Sequence, residues 1–472
     1  MRASLFLSLT AYSAVLVALG GCKSDVSLGG PNTLVRVELE PTGPNCPTGG
    51  VAIHTGLDHD GDTFLDDDEI TSTQFVCNGS TTVACAGGKV LKGTIAVRSA
   101  SDFSQLTGVN CIEGELLIAG TSGDALPHYA DLQIITGDLV VAGNPSLTSL
   151  AGFDQLREIG GTYLIQGNDA LTDISALTQL KRASGIQLIG NDGLRDLRGL
   201  ESFVDIDTSL LISNNGGLVS LAGLDNLQTT TSTLAIRSNR SLASLAGLAG
   251  LRQAQLIEVS GNDALASVAL PGLQKLDVRL LVTTNASLTA VSAPVLSTIG
   301  DFVRLDGNPK LARVDLPSLL TIGSLLATNN NSLATINAPG LVFATFDVQL
   351  MNLPALTTIA LDALTSIGND LALSNLPVLA GLPGLARLQS IGGDFTVTGS
   401  GGLRDFTGLG ALEGVSGSMI VTSNAQLRSF TGLTRFGEVG GNLTITGNPL
   451  LPRTTSQAFA QRITVRGTVT IN

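Results

Sequence analysis

From about Leu139 to the C-terminus, aliphatic residues alternate with small or polar ones in short runs. Each run ends three residues later in a corner that is usually asparagine, as in Leu443-Thr-Ile-Thr-Gly-Asn448. The corners fall at Asn144, Asn168, Asn191, Asn215, Asn239, Asn262, Asn285, Asn308 and Asn330, then at Leu353, Leu376 and Ser400, and finally at Asn424 and Asn448, in steps of 22 to 24 residues. A period of that length with one alternating segment per unit predicts a solenoid whose coils each contribute one strand. Positions five and three before the corner are almost always aliphatic, as in Leu139 and Val141 or Val303 and Leu305, and are assigned to the core. Between strands, Leu150, Phe153, Leu156 and Ile159 come three apart and lead into Gly160 and Gly161, which predicts a tight 3₁₀-like return too short for a regular helix. Parallel stacking of about 15 coils at ~4.8 Å gives a rod of about 70 Å, and right-handed winding is expected of parallel crossovers. The fold class is therefore mainly β: a right-handed parallel β-solenoid preceded by a smaller module. The solenoid closes in a short helix over Pro452 to Gln461 and a last strand from Thr468 to Asn472.

Composition narrows the class. Hydrophobic residues make up 43% of the 472, aromatics only 4%, and tryptophan is absent, which suits thin coils with aliphatic cores. A net charge of −13 makes nucleic acid an unsuitable partner, since a phosphate backbone would be repelled at neutral pH.

The N-terminus adds a compartment. Arg2 precedes an apolar run from Leu5 to Leu19, too short for a permanent span and suited to an export signal. The run ends in Leu19-Gly20-Gly21-Cys22, which resembles the lipobox of bacterial lipoproteins. That resemblance implies a signal peptide over residues 1–21, lipidation of Cys22 and a tether over 22–32. It also implies membrane attachment through the lipid and, with Lys23 in the second mature position, outer-membrane sorting with display at the cell surface. Four cysteines remain, Cys46, Cys77, Cys85 and Cys111. An even number in an oxidising compartment predicts two disulfides. Three connectivities are open, and nearest-neighbour pairing fits the domain layout best. A zinc site competes, but no CxxC spacing or pair of nearby histidines supports it.

A compact module over 33–84 carries a dense acidic loop, Asp58-His-Asp60-Gly-Asp62-Thr-Phe64-Leu-Asp66-Asp-Asp-Glu69. It resembles the twelve-residue EF-hand calcium loop, with carboxylates at positions 1, 3, 5, 9 and 12 and a backbone carbonyl at 7. The resemblance implies a structural Ca²⁺ held by Asp58, Asp60, Asp62, Phe64, Asp66 and Glu69. It departs from the pattern at Thr63, where the loop needs glycine for a positive φ, so reduced affinity is expected. The flanks, 49–54 and 71–76, read as extended rather than helical.

In the solenoid, assigned to 85–472, positions four and two before each corner face outward. The first of these rows holds six large aliphatics, Val140, Leu164, Leu211, Leu281, Leu326 and Ile420, more than solubility favours. The second is mostly small or hydroxylated. Leu164, Leu211, Leu281, Leu326 and Ile420 are the candidate contacts for a protein ligand or a neighbouring cell surface, and Arg237 and Glu258 on adjacent coils are expected to form a surface ion pair. The units resemble leucine-rich repeats, and more closely the receptor L domain, whose opening motif is similar to Leu106-Thr-Gly-Val-Asn-Cys-Ile-Glu-Gly-Glu-Leu-Leu-Ile118. That family implies partner recognition and supplies no catalytic residues. Adhesion or ligand capture is the leading expectation and a structural envelope spacer the alternative. A polysaccharide-active enzyme is the weakest reading, because Arg304 and Asp306 stand isolated among Leu281, Thr283, Leu326 and Thr328. Carbohydrate binding is disfavoured because, without tryptophan, the mature chain offers only Tyr129 and Tyr163, besides Phe, for stacking.

Overall fold

The computed structural model describes residues 25–27, 33–40, 50–57, 66, 68–77, 84–85 and 87–472. The chain divides into two units, Met1–Thr82 and Val83–Asn472. In the first, strands Asp25–Ser27, Thr33–Glu40, Gly50–Leu57 and Ile70–Cys77 form an antiparallel sheet in sequence order. The extended flanks of the acidic loop are thus adjacent strands. Residues 25–27, read as part of a tether, pair with Leu34–Arg36 and cover what would otherwise be an open sheet edge.

The second unit is a parallel β-solenoid of about 17 turns. The two turns beyond the expected 15 come from Ile95–Val97 and Leu116–Ala119, which stack in register beneath Leu139–Ala142. They escape a search for asparagine corners because the corner of the Leu116–Ala119 coil is Thr121. Alternation sorts the side chains as expected: Leu139, Val141, Ile257, Val259, Val303 and Leu305 are fully buried. Leu150, Phe153, Leu156 and Ile159 are also fully buried, with 3₁₀ turns at Ala151–Phe153, Ser175–Leu177 and Ala246–Leu248.

The middle coils differ. There the main strands lengthen to Thr229–Arg237, Gln253–Ser260, Lys275–Thr283, Thr298–Asp306 and Thr321–Thr328. A further five-stranded parallel sheet runs along the return side, from Ser267–Ala269 to Thr358–Ala360. Here the return segments carry Ala-Pro or Leu-Pro pairs such as Ala293-Pro294 and Leu316-Pro317 in place of the 3₁₀ turn. Proline's fixed φ and missing N–H suit an extended path.

Buried amides tie coil to coil. Asn144, Asn168, Asn191, Asn215, Asn239, Asn262, Asn285, Asn308 and Asn330 are all shut off from solvent. Each side-chain oxygen accepts from the backbone N–H and the side-chain amide or hydroxyl of the preceding corner, as Asn262 does from Asn239 at 3.0 and 3.3 Å. Each amide nitrogen also donates to a strand carbonyl of the coil before, as Asn239 does to Ile212 at 2.9 Å. Thr121 starts the column by donating to Asn144. Leu353 and Leu376 interrupt it, and there an outer column substitutes: Asn352 donates to Asn329 at 2.9 Å and Asn375 to Asn352 at 2.7 Å.

The residue before each corner turns the chain through the left-handed region. Glycine fills it at Gly143, Gly167, Gly190, Gly261, Gly307, Gly399 and Gly447, and asparagine at Asn214, Asn329, Asn352 and Asn375. Thr284 holds the same conformation at φ 53° despite its branched Cβ. Thr284→Gly is expected to stabilise the protein by about 1 kcal/mol through relief of that strain. A lower denaturant midpoint for the variant than for the native chain would contradict this.

The ends are closed differently. Cys85 and Cys111 form a disulfide with Cα atoms 5.7 Å apart. Cys22 and Cys46 lie outside the described residues, as does the side chain of Cys77. At the C-terminal end, helix Arg453–Arg462 lays Phe459 against Phe430, ring centroids 4.0 Å apart, and strand Val469–Ile471 completes the sheet. Among the described residues no helix is long and apolar enough to cross a membrane.

Candidate functional site

The outward sheet face is the one surface on which every coil presents side chains in register. Leu164, Leu281, Leu326 and Ile420 stand half-buried on it, each flanked by its counterparts on the neighbouring strands. Leu211 differs: it is 7% exposed, and Ser213, Ala235 and Glu258 beside it are closed as well. This stretch of the sheet packs its own face, so Leu211 offers a partner almost no contact area.

The Arg237 and Glu258 pair forms, with Nη2 2.5 Å from Oε2, but it is no surface pair, since the side chains are 22% and 7% exposed. Ser260 adds a hydroxyl donor to the second carboxylate oxygen at 3.1 Å. Both charges lie within the closed stretch, where each depends on the other for compensation.

Two coils further on, Arg304 is exposed and its nearest carboxylate oxygen, on Asp306, is 3.8 Å away. The other oxygen of Asp306 accepts from Thr328 at 2.7 Å and Asn329 at 3.0 Å. One position earlier on the outward side, Arg279 lies over the ring of Phe302 at 5.4 Å, a cation–π contact. Asp301 is adjacent, and burial raises its carboxyl above the usual range while Arg279 opposes the rise. Arg279 and Phe302 belong to neither outward row of the sequence reading. They are the next outward position, six before the corners Asn285 and Asn308, and pair in register with Leu256 and Ser324 on the coils outside them, just beyond the point where each of those pairings slips by one residue. The signal in the sequence is the same alternation carried one step further from the corner.

Tyr129 and Tyr163 are core residues, 6% and 0% exposed, and burial raises both hydroxyls well above the ordinary value. Neither can stack on a sugar.

Of the calcium-loop residues, Asp58, Asp60, Asp62 and Phe64 lie outside the described residues. Asp66 and Glu69 form a turn in which the Glu69 N–H donates to the Asp66 carbonyl at 3.1 Å and the Asp66 N–H to a Glu69 carboxylate oxygen at 3.0 Å. Glu69 is 5% exposed. A buried carboxylate at the twelfth loop position, folded back on the ninth, suits the end of an oxygen-ligand loop.

The last three strands of the first unit coincide with a match, over residues 32–77, to a family model described as a domain of unknown function, DUF7151. No curated protein matches the chain. Among solved structures, a crystal structure of a TLR13–ssRNA13 complex is matched at 11% identity over 81% of this chain and 83% of that one. The TM-score is 0.20, too low to bear on either fold or ligand. The solenoid stands on its own strand pairings.

Proposed function

We propose that this is a lipid-anchored recognition or adhesion protein of the outer membrane, which binds a protein ligand through the outward face of its solenoid and catalyses no reaction. The observation that supports this best is the face itself. Leu164, Leu281, Leu326 and Ile420 are held half-exposed on a rigid, in-register sheet, an arrangement that gives apolar contact at little ordering cost. The sequence supports the anchor, through Cys22, and surface display. Labelled palmitate should enter the native protein and not Cys22→Ser.

Calcium is proposed for the small module, with Asp66 and Glu69 closing a loop begun at Asp58. Titration should show calcium binding in the range of about 0.1–1 mM expected of extracellular modules, lost in Glu69→Gln.

The binding reading is tested with the delipidated protein on intact cells of the producing strain. Saturable binding is expected, weakened at least tenfold, or about 1.4 kcal/mol, by Leu281→Asp combined with Leu326→Asp. Non-saturable binding, or equal binding by the variant, would favour a structural spacer.

A further inference from the structure

On the two outward rows, from Ala119 to Thr446, the charged residues are Arg237, Glu258, Arg304 and Asp306. They fall within four successive coils, and the remainder of the strip is apolar, amide or hydroxyl. The two pairs differ in how completely they satisfy themselves. Arg237 and Glu258 are closed in on one another. Arg304 is 52% exposed, 3.8 Å from a carboxylate whose other oxygen already accepts from two donors. Beside it, the Nε of Arg279 is shut off from solvent and donates to no acceptor among the described residues. Its guanidinium lies over Phe302. Leu281 and Leu326, in register with Arg304 on the coils to either side, frame the group.

This is the composition of an interface centre, with arginines and an aromatic among aliphatics. It also runs against the charge of the molecule, which is −13 overall. Arg304, exposed and with spare donor capacity, with the Arg279 guanidinium adding positive charge beside it, complements carboxylates on an otherwise acidic chain. The adjoining Phe302, Leu281 and Leu326 complement apolar side chains, which nucleic acid and simple polyanions lack.

We propose that Arg279, Phe302 and Arg304 form the docking centre of the strip and that the occupant is an acidic, apolar-containing segment of a partner protein. Its carboxylates meet the guanidinium groups and its apolar side chains lie on Phe302, Leu281 and Leu326. This rests on the proposed binding role of the face and names its chemistry.

The test uses the full chain and three labelled peptides read by fluorescence polarisation. One alternates Asp and Glu with Leu and Val, the second replaces the acids with Lys, and the third replaces the aliphatics with Ser. The acidic, apolar peptide is expected to bind at least tenfold more tightly than either of the others. Arg279→Gln with Arg304→Gln should remove that preference, and Arg304→Glu, at an exposed position that folding does not depend on, should reverse it. Equal affinity for the acidic and basic peptides would overturn the proposal. So would undiminished acidic binding by Arg304→Glu, or tighter binding of a single-stranded oligonucleotide than of the acidic peptide. If any of these occurs while Leu281→Asp with Leu326→Asp still weakens cell binding, the docking chemistry is wrong and the recognition face stands. Loss of both effects removes the face as well.

Discussion

Replacing Asn239 with alanine is expected to lower the unfolding free energy by about 4 kcal/mol, far more than one hydrogen-bonding side chain ordinarily contributes. The reason is what the substitution leaves behind. Asn239 accepts from the backbone N–H of Asn215 at 3.0 Å and donates to the Ile212 carbonyl at 2.9 Å, all at buried positions. With the amide gone, an N–H and a carbonyl of the preceding coil lose their partner where no water can replace it. Each such orphan costs about 1–3 kcal/mol. Leucine at 239 should fare no better, although Leu353 and Leu376 show that the corner accepts leucine. Where leucine is native, its neighbours send their inter-coil bonds through the outer column of Asn329, Asn352 and Asn375 instead. No such column flanks Asn239, where the left-handed positions are Asn214, Ser238 and Gly261. Denaturant unfolding of the native chain, Asn239→Ala and Asn239→Leu measures this directly. A loss below about 1 kcal/mol in both variants would mean that the corner amides are interchangeable with apolar filling.

The asparagine column also marks how far the sequence can be read. Its spacing places the coils and their inward leucines, because a corner and an alternating strand are local patterns repeated many times. What eludes the sequence depends on neighbours in other coils. The Ile95–Val97 and Leu116–Ala119 turns lack an asparagine corner and escape the count. Leu211 shares its alternation with Leu281, yet the closure of the face around it arises from Ser213, Ala235 and Glu258. Arg279 and Phe302 continue the outward alternation one step beyond the two rows counted from the corner, and only the pairing across coils shows that the strands extend that far. The acidic loop is legible as chemistry, since ligand spacing is local, with Asp66 and Glu69 the portion that the structure describes.

Gly408→Ala is expected to destabilise the protein by at least about 4 kcal/mol, through two penalties that act together. Its φ is 110°, a conformation that L side chains rarely adopt, and a Cβ there would sit 2.0 Å from the Leu382 carbonyl oxygen of the coil below. That carbonyl cannot move aside cheaply. Leu382 is fully buried and its N–H donates to the Thr407 carbonyl at 3.0 Å, next to Gly408 itself. Gly447→Ala separates the two penalties. Its φ of 64° is left-handed too, but the nearest atom to a new Cβ is the Ser423 hydroxyl at 3.4 Å. A cost near 1 kcal/mol, about that of backbone strain alone, is expected there. Because each coil contacts its neighbours and little else, the damage at 408 should be regional. Hydrogen exchange is expected to lose protection in the coils around Leu382 and Leu409 and to keep it around Leu188 and Leu234. A uniform loss would mean that the solenoid unfolds as one cooperative unit; similar small costs at both glycines would mean that the return segments can separate to admit a methyl group.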